Sequence, residues 1–224
     1  MMTNLFSIFD PSSSIMNMPL NWLSSLFILF IIPLNFWLIP TRSTLLINAT
    51  HKFMNNEIYT LLKTKSFLGL SLMFNSIFMM LILNNFLGLF PYIFTSTSHL
   101  TFNLTFSLPI WFTLMFFGWI NKTEAMFSHL IPQGTPTLLM PFMVLIETIS
   151  NLIRPLTLAV RLTANMIAGH LLITLLSSTG NSISGYLYFM IIILEITLLS
   201  LEAAVAIIQS YVFTILSTLY TSEI

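Results

Sequence analysis

The chain contains no cysteine, which excludes disulfides, thiolate metal sites and cysteine nucleophiles. Charge is almost as scarce. Only 6% of the 224 residues are charged, where a soluble domain carries about a quarter. So few charges cannot cover a water-facing surface. Since 56% of residues are apolar and the mean hydropathy is +0.93, the solvent must be lipid. That excludes a secreted disulfide scaffold, a cytosolic enzyme and a nucleic-acid binder. Neither sign of charge dominates: seven Lys+Arg balance seven Asp+Glu, leaving no acidic or basic face to recruit a charged partner. P-loop, GxGxxG and HExxH motifs are also missing, so nucleotide or zinc chemistry is not expected within this chain and no cofactor is implied. The histidines His51, His99, His129 and His170 fall on different segments and supply no pair on a common helix for haem. Three Asn-x-Thr triplets, at Asn48, Asn103 and Asn121, match the frequency of an Asn- and Thr-rich chain. The first residues carry Asp10 but no Lys or Arg before Arg42, which resembles neither a signal nor a transit peptide. With 21 Phe and 14 Met, the expectation is synthesis inside the organelle or bacterium that uses the protein.

What is present is a series of five apolar stretches, which predicts an all-α integral membrane protein in a single domain. After an N-terminal segment over 1–21, Trp22–Ile39 is just long enough to cross a core of about 30 Å as a helix. The stretches 67–90 and 100–120 also suffice, and neither contains a charge. Segments 138–176 and 186–220 differ in kind. Each would run on the order of 55 Å as a helix, nearly twice the core thickness. They also hold Glu147, Arg154, Arg161, His170, Glu195 and Glu202. A long, strongly tilted hairpin with its turn at Ser177–Gly185 accommodates both facts. Between the first two spans, 41–66 places Leu45, Ala49 and Phe53 at helical spacing among charges, reading as an interfacial amphipathic helix or, alternatively, a solvated loop.

Basic residues orient the whole. Arg42, Lys52, Lys63 and Lys65 lie in one loop and Lys122 in another on the same side, whereas the loops at Pro91–His99 and Ser177–Gly185 contain none. The positive-inside rule then puts the N-terminus outside and the C-terminus inside, with five crossings.

An ionisable group near the bilayer centre costs about 2.5–3.5 kcal/mol even on insertion scales. Arg161 sits in AVRLTAN with apolar sequence on both sides, and a guanidinium cannot escape by losing its proton. Two readings stay open: a buried ion pair with Glu147 or Glu202, or a fixed positive charge facing a mobile acid or a water path. Asn165, one turn on, shares the Arg161 face, and His170, nine residues on, points to the opposite side. Glu195, Glu202 and Gln209 recur at intervals of seven as one polar stripe, with Ala203, Ala204 and Ala206 around it for close helix approach. Pro155 is expected to bend or loosen the helix six residues before Arg161. Carboxylates and a histidine can relay protons, while an arginine between them can only block.

IETISNLIRPLTLAVRLTANMIAGHLL followed by LEAAVAIIQSYVFTILSTLY closely resembles subunit a of the F-type ATP synthase in its mitochondrial form. LNNFLGLFPY at Leu83–Tyr92 and LIPQGTP at Leu130–Pro136 add two further blocks. The resemblance implies a stationary, non-catalytic proton channel of the inner mitochondrial membrane. It would be held against a ring of c subunits beside peripheral-stalk and other membrane-sector subunits. It implies that Arg161 is the essential arginine, with Asn165 and Gln209 the polar residues near it. His170 and Glu202 would line the inlet half-channel, and Glu147 the outlet toward the matrix. Glu195 has no counterpart in that pattern and extends the stripe outward, where it is expected to act as a vestibule acid, and Arg154 falls where relatives vary.

Overall fold

The computed structural model describes residues 5–13, 18–33, 39–62, 68–131, 136–180 and 185–223. Among them there is no β-strand, and the α-helices are α1 (Ile28–Ile31), α2 (Arg42–Leu62), α3 (Leu68–Gly88), α4 (Leu100–Asn121), α5 (Thr123–His129), α6 (Met140–Gly180) and α7 (Tyr186–Glu223). The long apolar stretches over 67–90 and 100–120 match α3 and α4 to within two residues. Short 3-10 turns cover Leu5–Phe9, Leu20–Leu26, Ser96–Ser98 and Thr137–Leu139.

Four helices among the described residues are long and apolar enough to cross a membrane, namely Gly69–Gly88, Leu100–Asn121, Met140–Gly180 and Tyr188–Ser222. The expected span over 22–39 is not one of them. The 3-10 turn Leu20–Leu26 passes into α1, which stops at Ile32 in an extended conformation (φ −70°, ψ 114°). Pro33 follows directly and disfavours the helical region for the residue before it. Residues 34–38 of that stretch lie outside the described residues.

The segment expected to be interfacial does form a helix, α2, over Arg42–Leu62, and residues 63–66 lie outside the described residues. Its packed side is not the Leu45–Ala49–Phe53 stripe, however. Met54, Ile58 and Leu62 are its buried apolar residues, with Leu45 and Phe53 exposed on the opposite face. Ile58 and Leu62 join a core with Phe74 and Leu81 of α3, Ile110 of α4, Leu158 and Leu162 of α6, and Phe213 of α7.

The last two helices form an antiparallel pair. Arg154 lies over the Tyr220 ring at 5.2 Å, Leu158 and Phe213 share the core, Gly169 meets Glu202, and Gly180 meets Ile191. From Leu158 to Gly180 the partners' numbers sum to a constant, so the register repeats every eleven residues, or three helical turns. With 41 residues, α6 measures about 60 Å. The expected turn at Ser177–Gly185 is shorter than anticipated, because Ser177–Gly180 continue α6. Residues 181–184 lie outside the described residues, and Gly185 closes the connection with φ +84°, a conformation that suits glycine. α6 runs unbroken through Pro155, whose ring is buried. What the ladder loses there is the hydrogen bond that proline cannot donate to Asn151.

Candidate functional site

Two polar stripes, each with a period of seven, define the hairpin. On α6 they are Glu147, Arg154 and Arg161, and on α7 Glu195, Glu202 and Gln209. Seven residues make nearly two turns, so each set stays on one helix face. The α7 set is half-buried along the seam with α6.

Arg161 is exposed on the surface of the chain. It borders a shallow depression whose other lining residues are Leu158, Leu162, Gln209, Val212 and Phe213. Among the described residues it makes no ion pair and no hydrogen bond. The buried pair with Glu147 or Glu202 is therefore not formed here. Glu147 is paired instead with Arg154, at 3.6 Å, and Arg154 also covers the Tyr220 ring. That arginine was the one without an expected role. Asn165 stands half-buried one turn from Arg161, and Gln209 reaches the same depression from α7.

Farther along the seam, Gly169 brings the two helices together over Glu202. A Cβ added at Gly169 would lie 2.7 Å from Glu202 Cδ and 3.0 Å from its Cγ. Only glycine leaves room for the carboxylate there. His170, the next residue, turns toward α3, where its ring meets the backbone of Gly88 and stands edge-on to Phe9 at 6.3 Å. It does not line the Arg161 depression, in keeping with the opposite faces expected for these two residues. His170 Nε2 and Glu202 Oε2 are both buried with no hydrogen-bond partner among the described residues. Two titratable groups thus turn unoccupied proton-accepting atoms inward rather than toward lipid. Glu195 is half-buried two turns nearer the hairpin end.

Sequence reasoning missed Gly169, whose signal is a lone glycine flanked by Ala168 and His170. It also missed the burial of the Thr95–Ser98 turn, read as part of a plain loop. Among the described residues no group of three or more His, Asp or Glu could hold a metal ion.

Comparison with known proteins follows the same lines. The family described as ATP synthase A chain matches residues 16–222. The chain is 60% identical to ATP synthase subunit a of Anopheles gambiae over 225 residues, covering 100% of both chains. It is 59% identical to that of Locusta migratoria and 58% identical to that of Drosophila melanogaster, each over 224 residues and again covering 100% of both chains.

Proposed function

Because the chain belongs to the family of ATP synthase a subunits, we propose that it is the stationary proton-conducting subunit of the synthase membrane sector, set against a ring of c subunits in the inner mitochondrial membrane. The observation that carries this reading is Arg161: a permanent charge in the middle of an apolar helix, exposed on the chain and unpaired among the described residues. Such a charge is too costly to leave facing lipid. It calls for an anionic partner from another subunit, and a rotor carboxylate supplies one.

The chemistry follows from what each group can do with a proton. Glu202 and His170 can gain and release one, so they carry protons from the intermembrane side to a rotor carboxylate. Arg161 cannot release its proton and so separates this inlet from the outlet. A rotor carboxylate draws close to the guanidinium only once it is deprotonated, since the opposite charge favours the anion. Asn165 and Gln209 flank the guanidinium and offer it acceptor oxygens. Glu147, held by Arg154, stands toward the matrix and receives protons leaving the rotor. Glu195 is the outer end of the inlet stripe. The small residues Ala164, Ala168 and Ala204 on the uncovered faces of α6 and α7 let rotor helices approach closely. In this arrangement α3, α4, α6 and α7 cross the membrane and the stretch from Trp22 makes a fifth crossing. The N-terminus then faces the intermembrane space and the C-terminus the matrix. α2 lies along the matrix surface with Leu45 and Phe53 toward lipid. The subunit performs no ATP chemistry itself.

The competing reading is a self-contained transporter, which calls for internal repeats and a substrate pocket; no internal repeat is apparent in the sequence. Purification under mild detergent discriminates. A stoichiometric ring of small hairpin subunits, cross-linking to a photoreactive group at Ala164 or Ala204, is expected. Recovery of the chain alone, active in transport, would overturn the proposal.

A further inference from the structure

The first 3-10 turn, Leu5–Phe9, packs against α6 from the far end of the chain, and nothing in the mechanism above uses it. Phe6 is exposed while Ile8 and Phe9 are half-buried, so one side of the turn faces the protein. Its end is tied down. Asp10 Oδ1 accepts from Ser12 N at 3.3 Å and from Ser12 Oγ at 3.0 Å. Asn21 Nδ2 donates to the Asp10 carbonyl at 3.2 Å, which fastens the turn to the segment that leads into α1. Phe9 is thereby held at one place on α6. Its ring stands across the imidazole of His170, with centroids 6.3 Å apart and planes at 87°, a geometry that aromatic rings favour.

The same imidazole is held on a second side by α3. Gly88 is the last residue of that helix, so its carbonyl is among those left without an N–H partner inside the helix. The His170 ring donates to it. Glycine suits the spot, since a Cβ there would lie 3.0 Å from Thr95 Cγ2 and 3.5 Å from Met166 Cε, one turn before His170 on α6. His170 Nε2 is buried with no partner among the described residues, so the donor is Nδ1. A hydrogen bond at one ring nitrogen settles the state of the other. Nδ1 keeps its hydrogen, and Nε2 carries the lone pair at which the neutral ring can take up a proton. Were the proton to enter at one nitrogen and leave by the other, the ring would have to turn over after each transfer. With entry and exit both at Nε2, what each transfer demands is that the ring stay still. One hydrogen bond fixes one point and leaves the imidazole free to tilt about it. The Phe9 ring blocks that tilt.

We propose that Phe9 is a positioning residue for proton transfer, holding the His170 imidazole in the orientation that the Gly88 carbonyl selects, so that Nε2 alone accepts and releases the proton. The proposal rests on the proton-conducting reading and gives the N-terminal turn a part in it. Nε2 accepts a proton to form the imidazolium and releases the same proton to the next acceptor, while the Nδ1–H bond to Gly88 is unchanged throughout. Phe9 itself carries no proton and acts only through His170.

Two measurements on the whole synthase test it, with Phe9→Leu removing the ring and Phe9→Tyr keeping it. Purified complexes receive diethyl pyrocarbonate, which modifies unprotonated imidazole nitrogens, and the rate at His170 is read by mass spectrometry against His51 of α2 in the same chain. In Phe9→Leu the ratio should rise at least fivefold, and in Phe9→Tyr it should stay within about twofold of the unmodified protein. In inner-membrane vesicles, Phe9→Leu should slow ATP-driven proton pumping per assembled complex by up to about tenfold, the scale expected of a misplaced transfer group, with Phe9→Tyr restoring most of it. In a His170→Gln background Phe9→Leu should add no further loss, whereas a packing role would cost the same in both backgrounds. Should Phe9→Leu fail to assemble, Phe9→Met keeps the bulk without the ring and carries the same comparison. Where His170→Gln leaves no pumping to compare, the labelling ratio decides. An unchanged ratio in the ring-less variant, or equal losses in the two backgrounds, overturns the proposal. Labelling is read without proton flow, so failure of the proton-conducting reading would not mimic failure of the Phe9 contact.

Discussion

Gly169→Ala changes no charge and removes no titratable group, yet it should cripple proton flow. The added Cβ would stand 2.7 Å from Glu202 Cδ and 3.0 Å from Cγ, so something must move. Either the helices part, at a cost of about 1–3 kcal/mol for overpacking, or Glu202 swings away at about 0.5–1.5 kcal/mol for a strained rotamer. The side chain is flexible and the helices are long, so rotation of Glu202 wins. Assembly and thermal stability should then change little while the carboxylate leaves the seam. If the displaced carboxylate raises the transfer barrier by about 1.4 kcal/mol, proton flow drops roughly tenfold. The assay is ATP-driven acidification of inner-membrane vesicles, normalised to assembled complex. Glu202→Asp shortens the side chain by one methylene, so Gly169→Ala combined with Glu202→Asp should lose less than the two single losses together. Full proton pumping by assembled Gly169→Ala complexes would refute the argument, because it would mean that the position of Glu202 does not matter.

Exchanging His170 and Glu202 as a double substitution should impair proton flow less than the combined single changes, and strict additivity in that cycle would assign them to separate paths. Glu195→Gln should slow proton uptake most at high outer pH, where protons are scarce, as expected of a vestibule acid. An unchanged rate and pH profile leaves the stripe beginning at Glu202. Arg154→Leu breaks the contact with Glu147, but both side chains are about one-third exposed (31% and 33%). Stability should therefore change by less than about 1 kcal/mol, and proton release to the matrix should slow; loss of assembly would show that the pair is structural instead.

The long helices were legible because lipid demands sustained apolar runs, and the α6–α7 hairpin followed from charges that two upright spans would strand. The seven-residue spacing of Glu195, Glu202 and Gln209 likewise sets them on one helix face from sequence alone. What could not be read is which apolar residue meets protein and which meets lipid, since neither hydropathy nor period separates the two solvents. Hence Leu45 and Phe53 were marked as the notable face of α2, while Met54, Ile58 and Leu62 are the ones that pack. The burial of Thr95–Ser98 in the α3–α4 connection is illegible for the opposite reason: polar residues between two apolar runs carry no mark of whether water or protein surrounds them. Glu147 pairs with Arg154, seven residues away on one face, because Arg161 lies fourteen residues from it, about 21 Å along the helix and out of reach of a direct ion pair. The short first helix reflects Pro33, which disfavours the helical conformation at Ile32.

The central claim is that Arg161 separates two proton paths by a charge it cannot give up. ATP-driven proton pumping by assembled complexes carrying Arg161→Ala, measured beside passive proton leak across the same membranes, tests it most directly. Pumping should be abolished while assembly persists, and Arg161→Lys should fail as well, because a lysine in a low-dielectric site can surrender its proton. Normal coupled pumping by Arg161→Ala would contradict the account.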